Sequence, residues 1–241
     1  MRTFHPRRGR LSGRHVAALD RLWPTYGLVI PYTPLGNRHD GCRLGAPAAQ
    51  SDVPAMLDPV TLFGRQAPLV LEIGSGMGDA TAEMAATDTG RDYLAVEVHT
   101  PGIANLLALI EERRLANVRI ARGDALDLLR HGLPEESLDA VHVFFPDPWP
   151  KVRHHKRRLI QPDHVALLRS RLAPGGTLHC ATDWAEYAEA MLQTMNADPE
   201  LVNVYENFAP RPAHRPVTRF EQRARTAGRA VFDLIFRRVQ P

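Results

Sequence analysis

The segment Leu69–Gly78, which reads LVLEIGSGMG, most constrains the fold of this chain. Its first five residues have the apolar composition of a buried strand, and glycines follow at alternate positions. The residues from Asp79 to Ala86 then have the pattern of a helix. Glycines at such positions let the backbone turn tightly and approach a ligand closely. The segment therefore predicts a strand, a tight turn and a helix in succession, which is the unit of a parallel sheet.

The same alternation continues along the chain. Six further strands are predicted over residues 92–98, 118–121, 138–145, 177–181, 201–205 and 231–238. Helices are predicted over residues 79–86, 102–114, 124–129, 163–172 and 184–195, and residues 206–228 are expected to be irregular. Strands that alternate with helices at this spacing predict a doubly wound, Rossmann-like α/β fold, with a mostly parallel sheet of about seven strands and helices on both faces.

The N-terminal residues 1–60 differ in composition from the rest. They are rich in arginine, proline and glycine, with one short periodic stretch from His15 to Trp23. We expect an N-terminal extension here and one domain over residues 61–241. No apolar run approaches the roughly 20 residues of a membrane span. The chain is accordingly expected to be a cytoplasmic protein with no membrane partner.

Basic residues are clustered, although the formal net charge is only +3. Five cations lie within Lys151–Arg158, and eight arginines lie between Arg211 and Arg238 against two acids. Such clusters favour a polyanionic partner. A solvated surface with no partner is the alternative that the charge pattern leaves open.

Carboxylates follow three of the predicted strands. Glu72 lies near the end of the first, Glu97 ends the second 21 residues after Gly76, and Asp124 follows the third. The carboxyl ends of parallel strands meet at one edge of the sheet, where a carboxylate can bind ribose hydroxyls. Dinucleotide-binding proteins also use a glycine turn and a carboxylate at a strand end to bind a ribose, so a nicotinamide cofactor is an alternative at this point.

The fourth strand runs into the loop Phe144–Pro150, which reads FFPDPWP. Its three prolines restrict the backbone, so Asp147 and Trp149 are expected to be held rigidly at the carboxyl edge of the sheet. The basic segment Lys151–Arg158 follows directly. Phosphates attracted to that segment would bring a nucleobase close to the loop.

The glycine turn with its preceding acid resembles motif I of the class I S-adenosylmethionine-dependent methyltransferases. Together with four other motifs, the chain more specifically resembles the bacterial tRNA (guanine-N7)-methyltransferases over residues 7–238. These motifs are the loop FFPDPW with the basic segment, Ala181–Trp184 (ATDW), Arg215–Glu221 (RPVTRFE), and the N-terminal pairs Gly9-Arg10 and Trp23-Pro24. Pro150, Ser75 and Arg219 depart from the usual family residues.

The resemblance implies S-adenosylmethionine as the cofactor and assigns residues by position. The implied cofactor-binding residues are Glu72, Gly74, Glu97, Asp124 and Asp147, of which Asp147 is also the implied catalytic residue. The implied substrate-binding residues are Lys151, Asp183, Thr218, Arg219, Phe220 and Glu221. The implied RNA-contacting residues are Arg153, His154, His155, Lys156, Arg157 and Arg158.

The implied activity is methyl transfer to N7 of a guanosine in tRNA, at position 46 of the variable loop in most of the family. The alternatives are a methyltransferase that acts on another RNA or on protein, a nicotinamide-dependent oxidoreductase, and an RNA-binding module without activity. No obligatory protein partner is expected, whether the chain is a monomer or a homodimer. The cysteine and histidine spacing offers no ligand set for a metal ion, so no metal is expected.

Overall fold

The computed structural model describes residue 3, residues 11–30 and residues 56–240. The motif residues Gly9-Arg10 and most of the predicted N-terminal extension lie outside these residues. The chain divides into two compact units. The N-terminal unit comprises the described residues up to Pro134, and the C-terminal unit comprises residues 135–240 with Thr3.

Four parallel strands form the sheet of the N-terminal unit, in the order β1-β4-β3-β2. They are β1 (Gly27–Val29), β2 (Leu69–Ile73), β3 (Asp92–Glu97) and β4 (Val118–Arg122). Every residue of β2 and β3 is buried, which explains their nearly continuous apolar composition. The parallel register places Ile73 beside Val96, so the ends of these two strands lie next to each other.

Five helices belong to this unit. They are α1 (Gly13–Tyr26), α2 (Pro59–Phe63), α3 (Asp79–Thr87), α4 (Thr100–Arg113) and α5 (Ala125–His131). Helix α1 packs against α4, where Arg21 donates to both carboxylate oxygens of Glu111. Residues from the predicted extension therefore contribute a helix and the edge strand β1 to this unit.

The C-terminal unit has the strand order β5-β6-β8-β7. Its strands are β5 (Leu138–Phe144), β6 (Leu172–Thr182), β7 (Leu201–Asn203) and β8 (Phe232–Arg238). Strands β5 and β6 are parallel, and β8 is antiparallel to both β6 and β7. The helices are α6 (Pro162–Arg171), α7 (Ala185–Asn196) and α8 (Arg219–Thr226), with a 3₁₀ helix over Val152–Arg157.

The predicted α/β class with mostly parallel strands and intervening helices is confirmed, with two differences. The described residues contain eight strands and not seven, because the three-residue strand β1 follows α1 directly and is too short to show a periodic pattern. The segment 206–228 was expected to be irregular, yet it contains α8. Thr218 caps this helix by accepting a hydrogen bond from the Glu221 amide, so a cap and ion pairs stabilise it in place of an apolar face.

In the part of the chain that the structure describes, none of the helices is long and apolar enough to cross a membrane.

Candidate functional site

The glycine turn after β2 has the backbone that its sequence predicts. Gly74 and Gly76 have φ angles of 76° and 60°, in the left-handed region that side chains disfavour. A Cβ at either position would meet no other heavy atom within 4 Å, so this face of the turn is open. Gly102 of α4 lies on the other side, where a Cβ would come within 1.9 Å of the Gly76 carbonyl oxygen. The turn is therefore backed by the α4 backbone and open towards a ligand.

Glu97 is held by main-chain amides at the end of β3. One carboxylate oxygen, Oε1, accepts hydrogen bonds from the amides of Val98 (2.7 Å) and His99 (2.9 Å), and Oε2 accepts one from Gly76 (2.7 Å). Burial raises the pKa of Glu97, while these amides counteract the increase. A carboxylate has about four acceptor positions, so Glu97 retains capacity for a ligand hydroxyl group.

Glu72 is completely enclosed in β2. Its Oε2 accepts a hydrogen bond from the Thr81 hydroxyl at 2.5 Å. Burial, opposed by that hydrogen bond, raises the pKa of the carboxyl group to about 7, and the negative charge of Glu97 adds to the increase. Glu72 therefore changes protonation state near neutral pH, and a nearby cationic group would favour its charged form.

Asp124 begins α5, where its carboxylate accepts a hydrogen bond from the Leu126 amide at 2.9 Å. It lies two residues beyond the end of β4 at Arg122. The structure thus brings Glu97 to the glycine turn by direct contact and makes Asp124 the N-cap of α5. The open glycine face and a preorganised carboxylate fit a ligand that carries ribose hydroxyls.

In the C-terminal unit, the loop after β5 has a strained backbone at both ends. Phe145 has a φ angle of 53° and Trp149 one of 45°, which are unusual for bulky side chains. Strained residues of this kind persist only where their surroundings hold them, and they cluster at functional sites. Trp149 is held by Arg157, whose guanidinium lies 4.1 Å from the indole centroid, and by a hydrogen bond from its Nε1 to the Thr3 carbonyl at 3.3 Å.

Asp147 lies between these two strained residues and is partly buried. Pro146 and Pro148 flank it, and the Pro148 carbonyl accepts a hydrogen bond from Nε of Arg158 at 2.9 Å. The proline-restricted backbone and this hydrogen bond together fix the position of Asp147 in the loop.

The basic segment 151–158 divides into exposed and buried residues. Lys151, Arg153 and Lys156 are exposed, whereas Arg158 is buried. Arg158 donates to both carboxylate oxygens of Glu186, at 2.9 and 2.5 Å, and its guanidinium lies over the Tyr187 ring. The resemblance implies that Arg158 contacts RNA, and the structure shows its side chain buried, where it donates to the carbonyl of Pro148 in the Asp147 loop.

His154 and His155 belong to the 3₁₀ helix and are partly buried. Partial desolvation and the positive charges of Arg153, Arg157 and the two lysines lower the pKa of His154. Near neutral pH this histidine is therefore a neutral hydrogen-bonding group among cations.

The residues predicted to bind substrate in the segment 218–221 have separate roles. Thr218 is the N-cap of α8, and Arg219 is exposed. Phe220 is 41% exposed and stacks on Phe145, with 6.0 Å between the ring centroids. Glu221 is buried and accepts hydrogen bonds from Arg215 and Arg225, both at 2.5 Å. Glu221 therefore holds α8 in place, and Phe220 presents an exposed ring beside the strained loop.

Two further arginines connect this segment to the sheet. Arg229 donates to the Asp183 carboxylate at 2.8 Å. Arg215, which is completely buried, donates through Nε and Nη2 to the two oxygens of Asp233, at 2.7 and 2.8 Å. Sequence reasoning treated Arg215 only as part of a motif. Its partner Asp233 is 18 residues away and follows no local spacing rule, so the sequence offered no signal for the pair.

A protein-family model described as "Putative methyltransferase" matches residues 66–234. Named relatives match the chain throughout its length. A tRNA (guanine-N(7)-)-methyltransferase of Streptomyces avermitilis is 50% identical over all of this chain and 76% of its own length. Its counterpart in Nitrosospira multiformis is 49% identical over 100% of this chain and 95% of its own. The counterpart in Burkholderia mallei is 50% identical over 99% of this chain and 82% of its own.

Solved structures of low sequence identity share the fold. The 16S rRNA methyltransferase KamB aligns with a TM-score of 0.56 at 14% identity, over 78% of this chain and 96% of its own. TrmN from Thermus thermophilus aligns with a TM-score of 0.52 at 15% identity, over 75% of this chain and 47% of its own. These similarities support the α/β fold class.

Proposed function

Because the chain belongs to the tRNA (guanine-N(7)-)-methyltransferase family, we propose that it transfers a methyl group from S-adenosylmethionine to N7 of a guanosine in tRNA. The observation that carries the proposal is an identity of about 50% over the whole chain to relatives with that name. We propose position 46 of the variable loop as the target, which is the usual site of the family that the sequence motifs resemble.

The cofactor-binding part of the proposal is supported by the N-terminal unit. S-adenosylmethionine supplies an electrophilic methyl group on a sulfonium ion when it is bound. We assign Glu97 to the ribose hydroxyls, because its carboxylate is fixed by three main-chain amides and keeps acceptor capacity. Glu72 and Gly74 are assigned to the methionine end, and Asp124 to the adenine amino group. The open faces of Gly74 and Gly76 support close approach of a ligand to the backbone.

The reaction needs no general base. Guanine N7 has a lone pair in the ring plane and no proton, so it forms the new N–C bond while the methyl–sulfur bond breaks. The electron pair of that bond stays on sulfur, and the purine becomes cationic. The protein must therefore align the reacting atoms and stabilise the positive charge.

We assign both tasks to Asp147. The strained and proline-flanked loop restricts its position, and Arg158 anchors the loop from inside the unit. A carboxylate can accept hydrogen bonds from the guanine N1 and N2 edge or from the cofactor's amino group, and its charge favours a cationic product. Asp147 thus positions and stabilises, and it removes no proton.

The remaining assignments concern the RNA. The exposed cations Lys151, Arg153 and Lys156 suit contacts with phosphates, and Phe220 offers an exposed ring for stacking against a base. We retain Arg219 and Asp183 as substrate contacts. Arg158 and Glu221 act by holding the Asp147 loop and α8.

The proposal is tested by incubating the full chain with methyl-labelled S-adenosylmethionine and an unmodified tRNA transcript, followed by nucleoside analysis. Label is expected in 7-methylguanosine. A transcript with adenosine at position 46 is the control for site selection, and it should accept no label. Label in another nucleoside would contradict the reaction, whereas equal labelling of both transcripts would contradict only the site.

A further inference from the structure

Three histidines that are distant in sequence meet in the C-terminal unit. His142 lies on β5, His179 lies opposite it on β6, and His214 lies in the segment before α8. One ring nitrogen from each lies within 4.8 Å of the others. His142 and His179 are buried and His214 is exposed, so the cluster has two ligands on the sheet and one near solvent.

The hydrogen bonding of His179 is that of a metal-binding histidine. Its Nε2 is 2.7 Å from Oδ1 of Asp233, and Asp233 is in turn bound by Arg215. The other ring nitrogen, Nδ1, is buried and has no hydrogen-bond partner among the described residues. A metal-binding histidine typically donates its second N–H to a carboxylate, which fixes the tautomer and directs the lone pair of the other nitrogen to the metal. Without a bound metal ion, this buried nitrogen would have lost its hydrogen bond to water and gained no partner in its place.

The carboxylate in direct contact with the cluster is that of Asp233, whose Oδ1 lies 2.7 Å from Nε2 of His179. Among the groups buried here, Asp233 and Glu221 are acidic and Arg215 is the one basic partner that joins them. Arg211 and Arg225 also pair with Glu221, but both of these side chains are exposed to solvent.

The cluster is close to the dimensions of a tetrahedral site. Zinc–nitrogen bonds of 2.0–2.1 Å place the ligand nitrogens of such a site about 3.4 Å apart. The widest pair must therefore approach by about 1.4 Å from the 4.8 Å limit. His214 is exposed in a segment outside any helix or strand, so it can supply this movement while the two strand histidines keep their positions.

We propose that the C-terminal unit binds one divalent transition-metal ion, for which Zn²⁺ is the best fit, through His142, His179 and His214. Three imidazoles with one position left for water or another ligand form a common Zn²⁺ arrangement. The bound ion would join His214 to β5 and β6. Since Arg215 follows His214 directly and pairs with Glu221, the ion would also restrain the segment that leads into α8. This proposal is independent of the methyltransferase assignment.

The test uses metal-free full-length protein titrated with Zn²⁺ in calorimetry and with Co²⁺ in visible absorption spectroscopy. We expect one ion per chain and the absorption bands of a tetrahedral Co²⁺ site with nitrogen ligands and no thiolate. In His214→Ala, the affinity should fall by more than the roughly 10–100-fold that loss of an outer partner causes. The variant removes an exposed side chain, so it should fold normally.

His142→Gln is the second variant, and His154→Ala is the matched control because its histidine lies in the same unit outside the cluster. Zn²⁺ should raise the melting temperature of the wild type and of His154→Ala, with no increase for His214→Ala. The proposal is overturned if the wild type binds no ion at micromolar concentrations, or if His214→Ala and His142→Gln bind as tightly as the wild type. It is equally overturned if His154→Ala abolishes binding.

Discussion

The two units hold their functional residues by different means. In the N-terminal unit, main-chain amides fix Glu97, and two of the three belong to the next two residues. In the C-terminal unit, charged side chains connect distant segments, as in Arg215 with Asp233 and Arg158 with Glu186. A carboxylate that is fixed by main-chain amides keeps its position when neighbouring side chains are substituted. A buried ionic network is strongly destabilised when a single member is lost, because the remaining charge stays buried without a partner.

Loss of Arg215 should have the largest effect, because it would leave Asp233 and Glu221 buried without their shared partner. Arg215→Met is expected to lower the free energy of unfolding by about 3–5 kcal/mol. Urea unfolding measures this change. Arg237→Met is the matched control, since Arg237 is exposed on the same strand as Asp233 and should change stability by about 0.5 kcal/mol or less. If the two variants lost the same free energy of unfolding, the buried ionic network would not be what stabilises the C-terminal unit.

The second prediction concerns the pH dependence of stability in the N-terminal unit. Burial raises the pKa of Glu72 from 4.5 to about 7, so the folded chain keeps this proton in a pH range where the unfolded chain has lost it. The contribution of Glu72 to the free energy of unfolding therefore decreases as the pH rises from about 4.5 to about 7. Glu72→Gln should remove about 3 kcal/mol of that decrease. Denaturation at a series of pH values measures it, and Glu83→Gln, an exposed change on α3, should retain the wild-type profile.

The third prediction isolates the carboxylate fixed by main-chain amides. Glu97→Gln replaces one acceptor oxygen with an NH₂ group that faces backbone N–H donors, and it removes the charge. Affinity for S-adenosylhomocysteine should fall by the equivalent of about 1.5–3 kcal/mol, measured by calorimetry. Glu112→Gln changes an exposed carboxylate on α4 and should bind normally. Undiminished binding by Glu97→Gln would refute the ribose assignment.

The smallest effect is expected at the exposed cations. Arg153→Ala combined with Lys156→Ala should weaken tRNA binding and make the slope of log K against log salt shallower by roughly 1–2, since each phosphate contact contributes about 0.9. Filter binding at several salt concentrations measures the slope. Arg130→Ala, which is exposed in the N-terminal unit, should leave it unchanged. An unaltered slope in the double variant would indicate a solvated surface without RNA contacts.

The same comparison explains how much could be predicted from the sequence. Strands β2, β3 and β4 and the glycine turn of the N-terminal unit were predictable because burial and glycine conformation are local properties of the chain. The assignment of Glu97 to the end of β3 followed from its strand position and was confirmed. Two short elements were missed, because β1 has only three residues and the capping signal Thr218–Glu221 (TRFE) at the start of α8 was not used.

Residues of the C-terminal unit were harder to assign because their partners are remote. Arg158 belongs to a basic segment in sequence, but its pairing with Glu186 places it inside the fold. The resemblance implies that Glu221 contacts the substrate, and the structure shows it buried and paired with Arg215 and Arg225. The histidine cluster draws its members from β5, β6 and a loop, and no sequence spacing relates them. Contacts between distant segments follow from tertiary packing, which pattern rules do not describe.

The most direct test is the single-turnover rate of methyl transfer to tRNA by Asp147→Asn. Asp147 is assigned to position guanine and to stabilise the charge that develops on it, so the variant should be slower by the equivalent of about 1.5–3 kcal/mol, or roughly 10–150-fold. The product should still be 7-methylguanosine, because no proton is removed in the reaction. A full wild-type rate in Asp147→Asn would contradict this account.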